Sequence, residues 1–227
     1  MALVEMNNLS KDYVEGKLTV RALRGIDLTV DEGEFTALAG PSGSGKTTLL
    51  NLIGGLDSPT TGTVRITDED LATLGPRRLG HLRLHRIGFV FQAYNLIPVL
   101  SACENVEFTM LLQGVSTTER RRRALETLEN VGLGAYADRR PNAMSGGQQQ
   151  RVAVARAIVT RPAVVLADEP TANLDSETGA DLLDLMKRLN RENGVTFLFS
   201  THDPMVMDYS RRLVRLHDGK VRSDETK

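Results

Sequence analysis

The run Gly40-Pro41-Ser42-Gly43-Ser44-Gly45-Lys46-Thr47-Thr48 fits the pattern G-x-x-x-x-G-K-[ST], and it stands between an apolar stretch, Phe35 to Ala39, and a stretch that reads as a helix, Lys46 to Ile53. Glycines at these spacings let successive backbone N–H groups close around phosphate oxygens. Lys46 then reaches the β- and γ-phosphates, and the Thr47 hydroxyl is suited to Mg2+. The chemistry implied is binding of a nucleoside triphosphate. Farther along, Val164 to Ala167 read as a buried strand that ends in two carboxylates, Asp168 and Glu169. Beside a phosphate loop the first holds a metal ion, directly or through water, and the second orients and deprotonates an attacking water. A third element, Met144-Ser145-Gly146-Gly147-Gln148, opens a helix with Val152, Ala155, Ile158 and Val159 on its apolar face. Its serine and glycines expose N–H groups at the positive end of a helix, which makes a second phosphate receptor. With two such surfaces in one chain, either each chain binds two nucleotides or two copies clamp each nucleotide between the loop of one and the Ser-Gly-Gly helix of the other.

The elements that must carry these residues alternate between strand and helix, which predicts an α/β fold with a mostly parallel sheet. Val4 to Leu9 and Ala22 to Val30 alternate around a turn at Glu15-Gly16-Lys17 and predict an antiparallel β-layer. Ile87 to Phe91 reads as a strand ending at Gln92. The middle of the chain reads as helices over Ala102 to Leu112, Thr117 to Val131 and Gly146 to Val159, an α-helical subdomain inserted over 96–162 between the two parts of the core, 1–95 and 163–227. Ser116-Thr117-Thr118-Glu119 fits a capping box, with Ala124, Leu125, Leu128 and Val131 on one helix face and Gly132 as the stop. Strand, helix and strand return over Val164 to Ala167, Ser176 to Glu192 and Thr196 to Ser200, and a β-rich stretch from Arg212 to Val221 follows.

In its order of motifs the sequence resembles the ATP-binding cassette family over nearly its whole length. The features are an early aromatic (Tyr13), the phosphate loop, Gln92, Ser145-Gly146-Gly147-Gln148, the strand ending in Asp168-Glu169, Asn173-Leu174-Asp175, and His202 after the last parallel strand. The resemblance implies a P-loop NTPase (RecA-like) fold forming a single nucleotide-binding domain. It implies Tyr13 stacked on adenine with Val20 packed against the ring, Gln92 sensing Mg2+ and the γ-phosphate, His202 bonded to the γ-phosphate, and Asp175 at a dimer seam. Lys46, Gln92, Glu169 and His202 would then be the catalytic set, and Thr47, Gln92 and Asp168 the metal set. Ile87-Gly88-Phe89-Val90-Phe91-Gln92, Asn95-Leu96-Ile97-Pro98, Glu104-Asn105-Val106 and Pro170-Thr171-Ala172-Asn173-Leu174-Asp175 are similar to the lipoprotein-release and macrolide-efflux (LolD/MacB-like) branch. That branch implies a homodimer that hydrolyses ATP on a separate integral membrane permease, peripheral on the cytoplasmic face of the inner membrane. Met144 replaces the leucine usual before the signature serine, and Ala172 stands where the branch often has glycine.

Rival readings of the same loop are a soluble cassette ATPase of DNA repair, translation or iron–sulfur assembly, and a small-molecule kinase. A repair protein of the first kind would need a long heptad-patterned insertion and a translation factor usually carries two cassettes in one chain, neither of which is present, and the kinase would leave Ser145 to Gln150 unexplained. Composition narrows the field further. The chain has 227 residues, with 28 lysines and arginines against 29 aspartates and glutamates, so no global positive field exists to hold nucleic acid. The longest apolar run, Ala163 to Ala167, is far short of the roughly 20 residues of a spanning helix. A single cysteine, Cys103, forms no internal disulfide and points to a reducing cytosol. His81 and His85 share a helix face without a third ligand, and Arg120 to Arg123 read as the solvent face of a capped helix countered by Glu119, Glu126 and Glu129.

Overall fold

The computed structural model describes residues 2–16 and 18–227, so Lys17 of the expected turn lies outside the described residues. Two strands, β1 (Ala2–Glu15) and β2 (Leu18–Asp31), form a long antiparallel pair with bulges. They run well beyond the stretches expected, into outer ends where the apolar Tyr13, Val14, Leu18 and Val20 stay exposed instead of entering the core. Two further strands, β4 (Thr61–Ile66) and β5 (Glu69–Asp70), complete this sheet in the order β2-β1-β4-β5. Both were absent from the sequence reading, since each is short and β4 buries only Val64 and Ile66.

The second sheet holds β3 (Phe35–Ala39), β6 (Ile87–Val90), β7 (Val164–Asp168), β8 (Thr196–Thr201), β9 (Arg212–His217) and β10 (Lys220–Thr226) in the order β10-β9-β3-β8-β7-β6. All neighbours are parallel except β10, which turns back on β9. Both faces are covered, which explains why β3, β7 and β8 read as continuous apolar runs rather than alternating ones. Successive side chains nonetheless go to different layers. Leu38, Val164, Leu166, Leu198 and Val214 pack with α1 (Lys46–Ile53) and the antiparallel sheet. Ala37, Val165, Ala167, Phe197 and Phe199 pack beneath the helices on the opposite face. Phe35, Phe197 and Phe199 anchor that second layer with ring centroids 4.7 to 5.7 Å apart.

Between β6 and β7 the chain forms α3 (Ala102–Leu112), α4 (Thr117–Asn130) and α5 (Gly146–Ile158), and after β7 comes α6 (Ser176–Asn193). Their buried residues, among them Val106, Leu128, Val152 and Leu183, share one continuous cluster with the sheet face. Helices α2 (Pro76–Arg86) and α7 (Pro204–Tyr209) complete the fold. On α2 the His81 and His85 rings stack, and His85 Nδ1 lies 2.9 Å from the His81 carbonyl oxygen, which takes that nitrogen away from any metal.

Two local expectations need correction. Ser116 caps α4 by position only, without a side-chain hydrogen bond, and the Glu119 carboxylate, the other half of the expected box, is taken by Arg122 at 2.8 and 3.0 Å. The arginine block is also not simply a solvent face. Arg122 pairs outward with Glu119 and Glu126, but Arg120 and Arg121 reach across to Glu107 of α3 at 3.0 and 3.3 Å. Arg123 donates to the Val159 carbonyl at the end of α5. Long arginine stems let adjacent positions serve different faces. The boxes that do form are at Ser101–Glu104 and Ser145–Gln148.

Asn105 is the structural content of the Glu104-Asn105-Val106 motif. Fully buried, it donates to the Ser101, Leu100 and Ile97 carbonyls at 2.9 to 3.2 Å and accepts from the Ile97 N–H at 2.8 Å. One amide thus satisfies the loop that joins the strand side of the molecule to α3. Asn105→Ala takes the acceptor from the Ile97 N–H and a donor from the Leu100 carbonyl, while the Ser101 and Ile97 carbonyls keep backbone partners, and is expected to cost about 2–3 kcal/mol. Urea unfolding monitored by circular dichroism measures it, and a loss below about 0.5 kcal/mol would show that the loop holds itself.

Candidate active site

The parallel strands β3, β6, β7 and β8 all end at one edge of the sheet. Ala39 pairs with Thr201, Asp168 with Ser200, and Val90 with Ala167. The residues that follow these pairs, Gly40, Gln92, Glu169 and His202, therefore arrive together where an open α/β sheet places its ligand. A cavity of about 460 Å3 sits there, lined by Ser42, Gly43, Lys46, Thr47, Thr48 and Gly45 from the phosphate loop, by Gln92, Glu169 and His202, and by Val20, Arg21 and Ala22 of β2.

The phosphate loop turns through Gly45, whose φ of 100° places it in the left-handed region that suits glycine, and a Cβ there would come within 2.6 Å of the Ala22 carbonyl oxygen. Lys46 is 7% exposed, and its ammonium donates to the Gly40 and Pro41 carbonyls at 2.8 and 3.0 Å. Gly40 and Pro41 thus back the cavity through their carbonyls instead of lining it. Ser44 is buried under the loop with its hydroxyl unpaired. Thr47 Oγ1 donates to Asp168 Oδ1 at 3.1 Å, and the same oxygen accepts from Ser200 Oγ. Hard oxygen donors are thereby gathered where a metal paired with phosphate would sit.

Glu169 leaves β7 with a φ of 46°. A side-chain-bearing residue in this region costs on the order of 1–2 kcal/mol. Its N–H donates to the Ser200 carbonyl at 3.0 Å, so the departure from the strand is held by β8. The bend directs the carboxylate to His202, whose Nδ1 lies 2.8 Å from Glu169 Oε1, while Thr201 Oγ1 is 3.5 Å from the other oxygen. Ser200 and Thr201 were missed in the sequence. The signal was the Ser-Thr-His run closing an otherwise apolar strand.

The remaining residues fall outside this cavity. Tyr13 faces Val20 across the β1–β2 pair, but only Val20 lines the cavity. The Tyr13 hydroxyl donates to Asp57 at 2.9 Å, Lys11 lies 4.9 Å from its ring centroid, and burial followed by the Asp57 contact raises its pKa. Ser145 to Gln148 likewise lie away from the phosphate cavity of their own chain. The Ser145 hydroxyl accepts from the Gln148 N–H at 3.3 Å, and the Gln148 side chain accepts from the Ser145 N–H at 3.0 Å. The adjacent glycine is required by close approach, because a Cβ at Gly147 would lie 2.3 Å from Thr178 Cγ2. Asp175 caps α6 by accepting from the Thr178 N–H and hydroxyl, both at 2.9 Å, and these bonds hold its pKa below the usual carboxylate range.

An apolar groove of about 590 Å3 lies on another side of the molecule, between α3 and the β6 side of the sheet. Leu56, Phe89, Phe108 and Leu112 supply its apolar wall, and Leu112 is 59% exposed. Of the apolar stretch Leu96 to Leu100 that follows Gln92, Val99 is well exposed, whereas Leu96, Ile97 and Leu100 are half-buried, and none of them lines the groove.

Comparison with known proteins decides the family. The family model described as ABC transporter matches residues 23–172. The chain belongs to the ABC transporter family. It is 49% identical over 223 residues to an uncharacterized ABC transporter ATP-binding protein of Thermotoga maritima, covering 98% of this chain and 95% of that one. It is 48% identical to the lipoprotein-releasing system ATP-binding protein LolD of Anaeromyxobacter dehalogenans, over 97% of this chain and 93% of that protein. The same identity holds to a macrolide export ATP-binding/permease protein, MacB of Syntrophobacter fumaroxidans, of which the chain spans 31%. In structure it matches a cassette of Methanocaldococcus jannaschii, solved as a dimer in a post-hydrolysis state with ADP and Pi, with a TM-score of 0.91 and 45% identity over 99% of this chain and 98% of that one. This ABC protein is thus an ATP-binding and ATP-hydrolysing transporter subunit of the LolD/MacB-like branch, and a transport ATPase is favoured over a soluble one. Among the described residues no helix is long and apolar enough to cross a membrane.

Because the Lys46 ammonium is held at the back of the loop by two carbonyls, its loss removes a preplaced positive charge. Lys46→Ala is expected to weaken ATP binding by about 10-fold or more, read by calorimetric titration. Wild-type affinity would remove the lysine from the phosphate site.

Proposed function

We propose that two copies of this chain close on ATP, each nucleotide held by the phosphate loop of one copy and the Ser145-Gly146-Gly147 helix end of the other. We further propose that this closure drives a separate membrane permease. The observation that carries the reading is the separation of the two phosphate receptors: Ser145 to Gln148 do not line the cavity that Lys46 and Glu169 line. A receptor built from exposed N–H groups at a helix start serves a phosphate brought by another molecule. The M. jannaschii cassette, solved as a dimer, supports the pairing of two copies. Asp175, exposed beside α5, then belongs to the seam, and Tyr13 with Val20 to the adenine end.

In the closed dimer Lys46 and the loop N–H groups hold the triphosphate. Glu169 accepts the proton of the water that attacks the γ-phosphorus, and His202, bonded to Glu169, orients that carboxylate and reaches the γ-phosphate. The donor set Thr47, Asp168 and Gln92 fits Mg2+, which when bound neutralises charge on the phosphate oxygens. The core over 1–95 and 163–227 carries the loop and the carboxylates, and the helical part over 96–162 carries the signature. ATP closes the two parts toward the partner copy, and release of phosphate reopens them. The groove beside Phe108 and Leu112 receives an apolar cytoplasmic segment of the permease, holding the protein to the cytoplasmic face of the membrane. Relatives named for lipoprotein release and macrolide export support a hydrophobic or lipidated cargo.

Glu169→Gln is expected to lower turnover by about 100-fold or more while ATP binding persists, because the amide cannot take a proton. An unchanged rate at saturating ATP would reject Glu169 as the base. The same variant is expected to elute as a dimer with ATP and as a monomer with ADP, and Ser145→Arg added to it is expected to abolish the dimer. A monomer in light scattering with ATP bound would count against the clamp. In the groove, Phe108→Glu and Leu112→Glu are expected to leave folding and basal ATPase intact and to remove stimulation by the reconstituted permease. Full stimulation by both variants would move the docking surface elsewhere.

A further inference from the structure

The loop that carries Gln92 has an unusual backbone. Tyr94 and Asn95 stand in succession in the left-handed region, with φ of 58° and 50°. Residues with side chains visit this region singly and at a cost. The loop's own bonds, from the Tyr94 N–H to the Phe91 carbonyl at 3.1 Å and from the Asn95 N–H to the Ala93 carbonyl at 2.6 Å, only close tight turns. The Gln92 carbonyl accepts from Asn173 Nδ2 at 2.8 Å, and Ile97 is held by Asn105 of α3, while the two left-handed residues between them are held from α5. Arg156, in its last turn, donates to the Tyr94 carbonyl at 2.9 Å and to the Asn95 carbonyl, so a single guanidinium fork spans the two left-handed residues. The guanidinium is partly withdrawn from water, and burial lowers its pKa, so its solvation is exchanged for these carbonyls. Helix α5 holds the same loop at two other points. Gln150 Nε2 lies 3.5 Å from the Phe91 carbonyl while donating to Pro170 at 2.8 Å, and the Tyr94 hydroxyl lies so near Gly146 that a Cβ there would be 2.8 Å away.

We propose that Arg156 is a positioning residue for Gln92: it latches Tyr94 and Asn95 in the left-handed conformation and so makes the Gln92 loop and the signature helix α5 move as one body. The proposal rests on the reading of Gln92 as a γ-phosphate and metal residue. Through the latch, a shift of the Ser145-Gly146-Gly147 end toward a partner's nucleotide also sets Gln92 against the chain's own nucleotide. Lysine cannot substitute, because one ammonium cannot hold two successive carbonyls in a fixed fork.

The test combines steady-state kinetics with hydrogen exchange. Arg156→Met is expected to lower kcat about 10-fold with KM for ATP within about threefold, the pattern of lost positioning rather than lost binding. Amides of 91–97 are expected to exchange about 10-fold faster while those of 164–168 keep their protection. Arg156→Lys is expected to fall between wild type and Arg156→Met in both readouts. A wild-type kcat in Arg156→Met, or a lowered kcat with unchanged exchange over 91–97, would overturn the latch. If Arg156→Met does not fold, Arg156→Lys is read by the same two measurements, and wild-type exchange over 91–97 in that variant overturns it. Gln92→Ala separates the two ideas: an unchanged kcat there removes the reading of Gln92, while the exchange of 91–97 in the Arg156 variants still decides the latch.

Discussion

The parallel ladder through β3, β8, β7 and β6 sets the height of every reacting group. With Ala39 against Thr201, Asp168 against Ser200 and Val90 against Ala167, the strands end at one level. Because side chains alternate along a strand, a register slip of one residue would send Asp168 to the other face and carry Glu169 away from His202. The register is held by burial on both sides, Val164 and Leu166 in one layer and Val165 and Ala167 in the other. Each large apolar side chain buried there contributes about 1.5–3 kcal/mol. Two or more of them together exceed the roughly 1–2 kcal/mol cost of Glu169 in its left-handed turn. The core therefore tolerates a strained backbone at the one residue that must turn out of the strand.

A second constraint acts where polar groups are buried. Asn105 organises the approach to α3, and Asn190 on α6 does the same at the other end of the sheet, donating to the Gly33 and Val195 carbonyls and accepting from Arg211 at 2.6 Å. Such fully satisfied amides fix the course of loops that apolar packing alone leaves free. Cys103 shows the opposite case. It lies fully buried beside Glu107, and burial pushes its thiol up to about 12, so it stays protonated and serves as packing.

The two helix starts that resemble each other in sequence differ in what they face. The phosphate loop closes over its own lysine and carboxylates, whereas the signature helix start is capped locally through Ser145 and Gln148 and open on its outer side. Its glycines answer a packing demand, since a Cβ at Gly147 would press on Thr178 Cγ2 and one at Gly146 would displace the Tyr94 hydroxyl.

What the sequence determined by itself was whatever depends on residue type and short spacing: the phosphate loop and its helix, the strand ending in Asp168-Glu169, the Ser145 helix start, and the long helices with apolar periodicity. These are local, and the backbone of about ten residues suffices to specify them. Tertiary structure decided the rest. The sheet order β10-β9-β3-β8-β7-β6 brings Gln92 and His202, more than a hundred residues apart in the chain, to one cavity. Packing of α4 on α3 likewise turns Arg120 and Arg121 to Glu107. For these arginines solvent and the neighbouring helix compete for one guanidinium, and the winner is set by which elements pack together, a quantity that no local pattern contains.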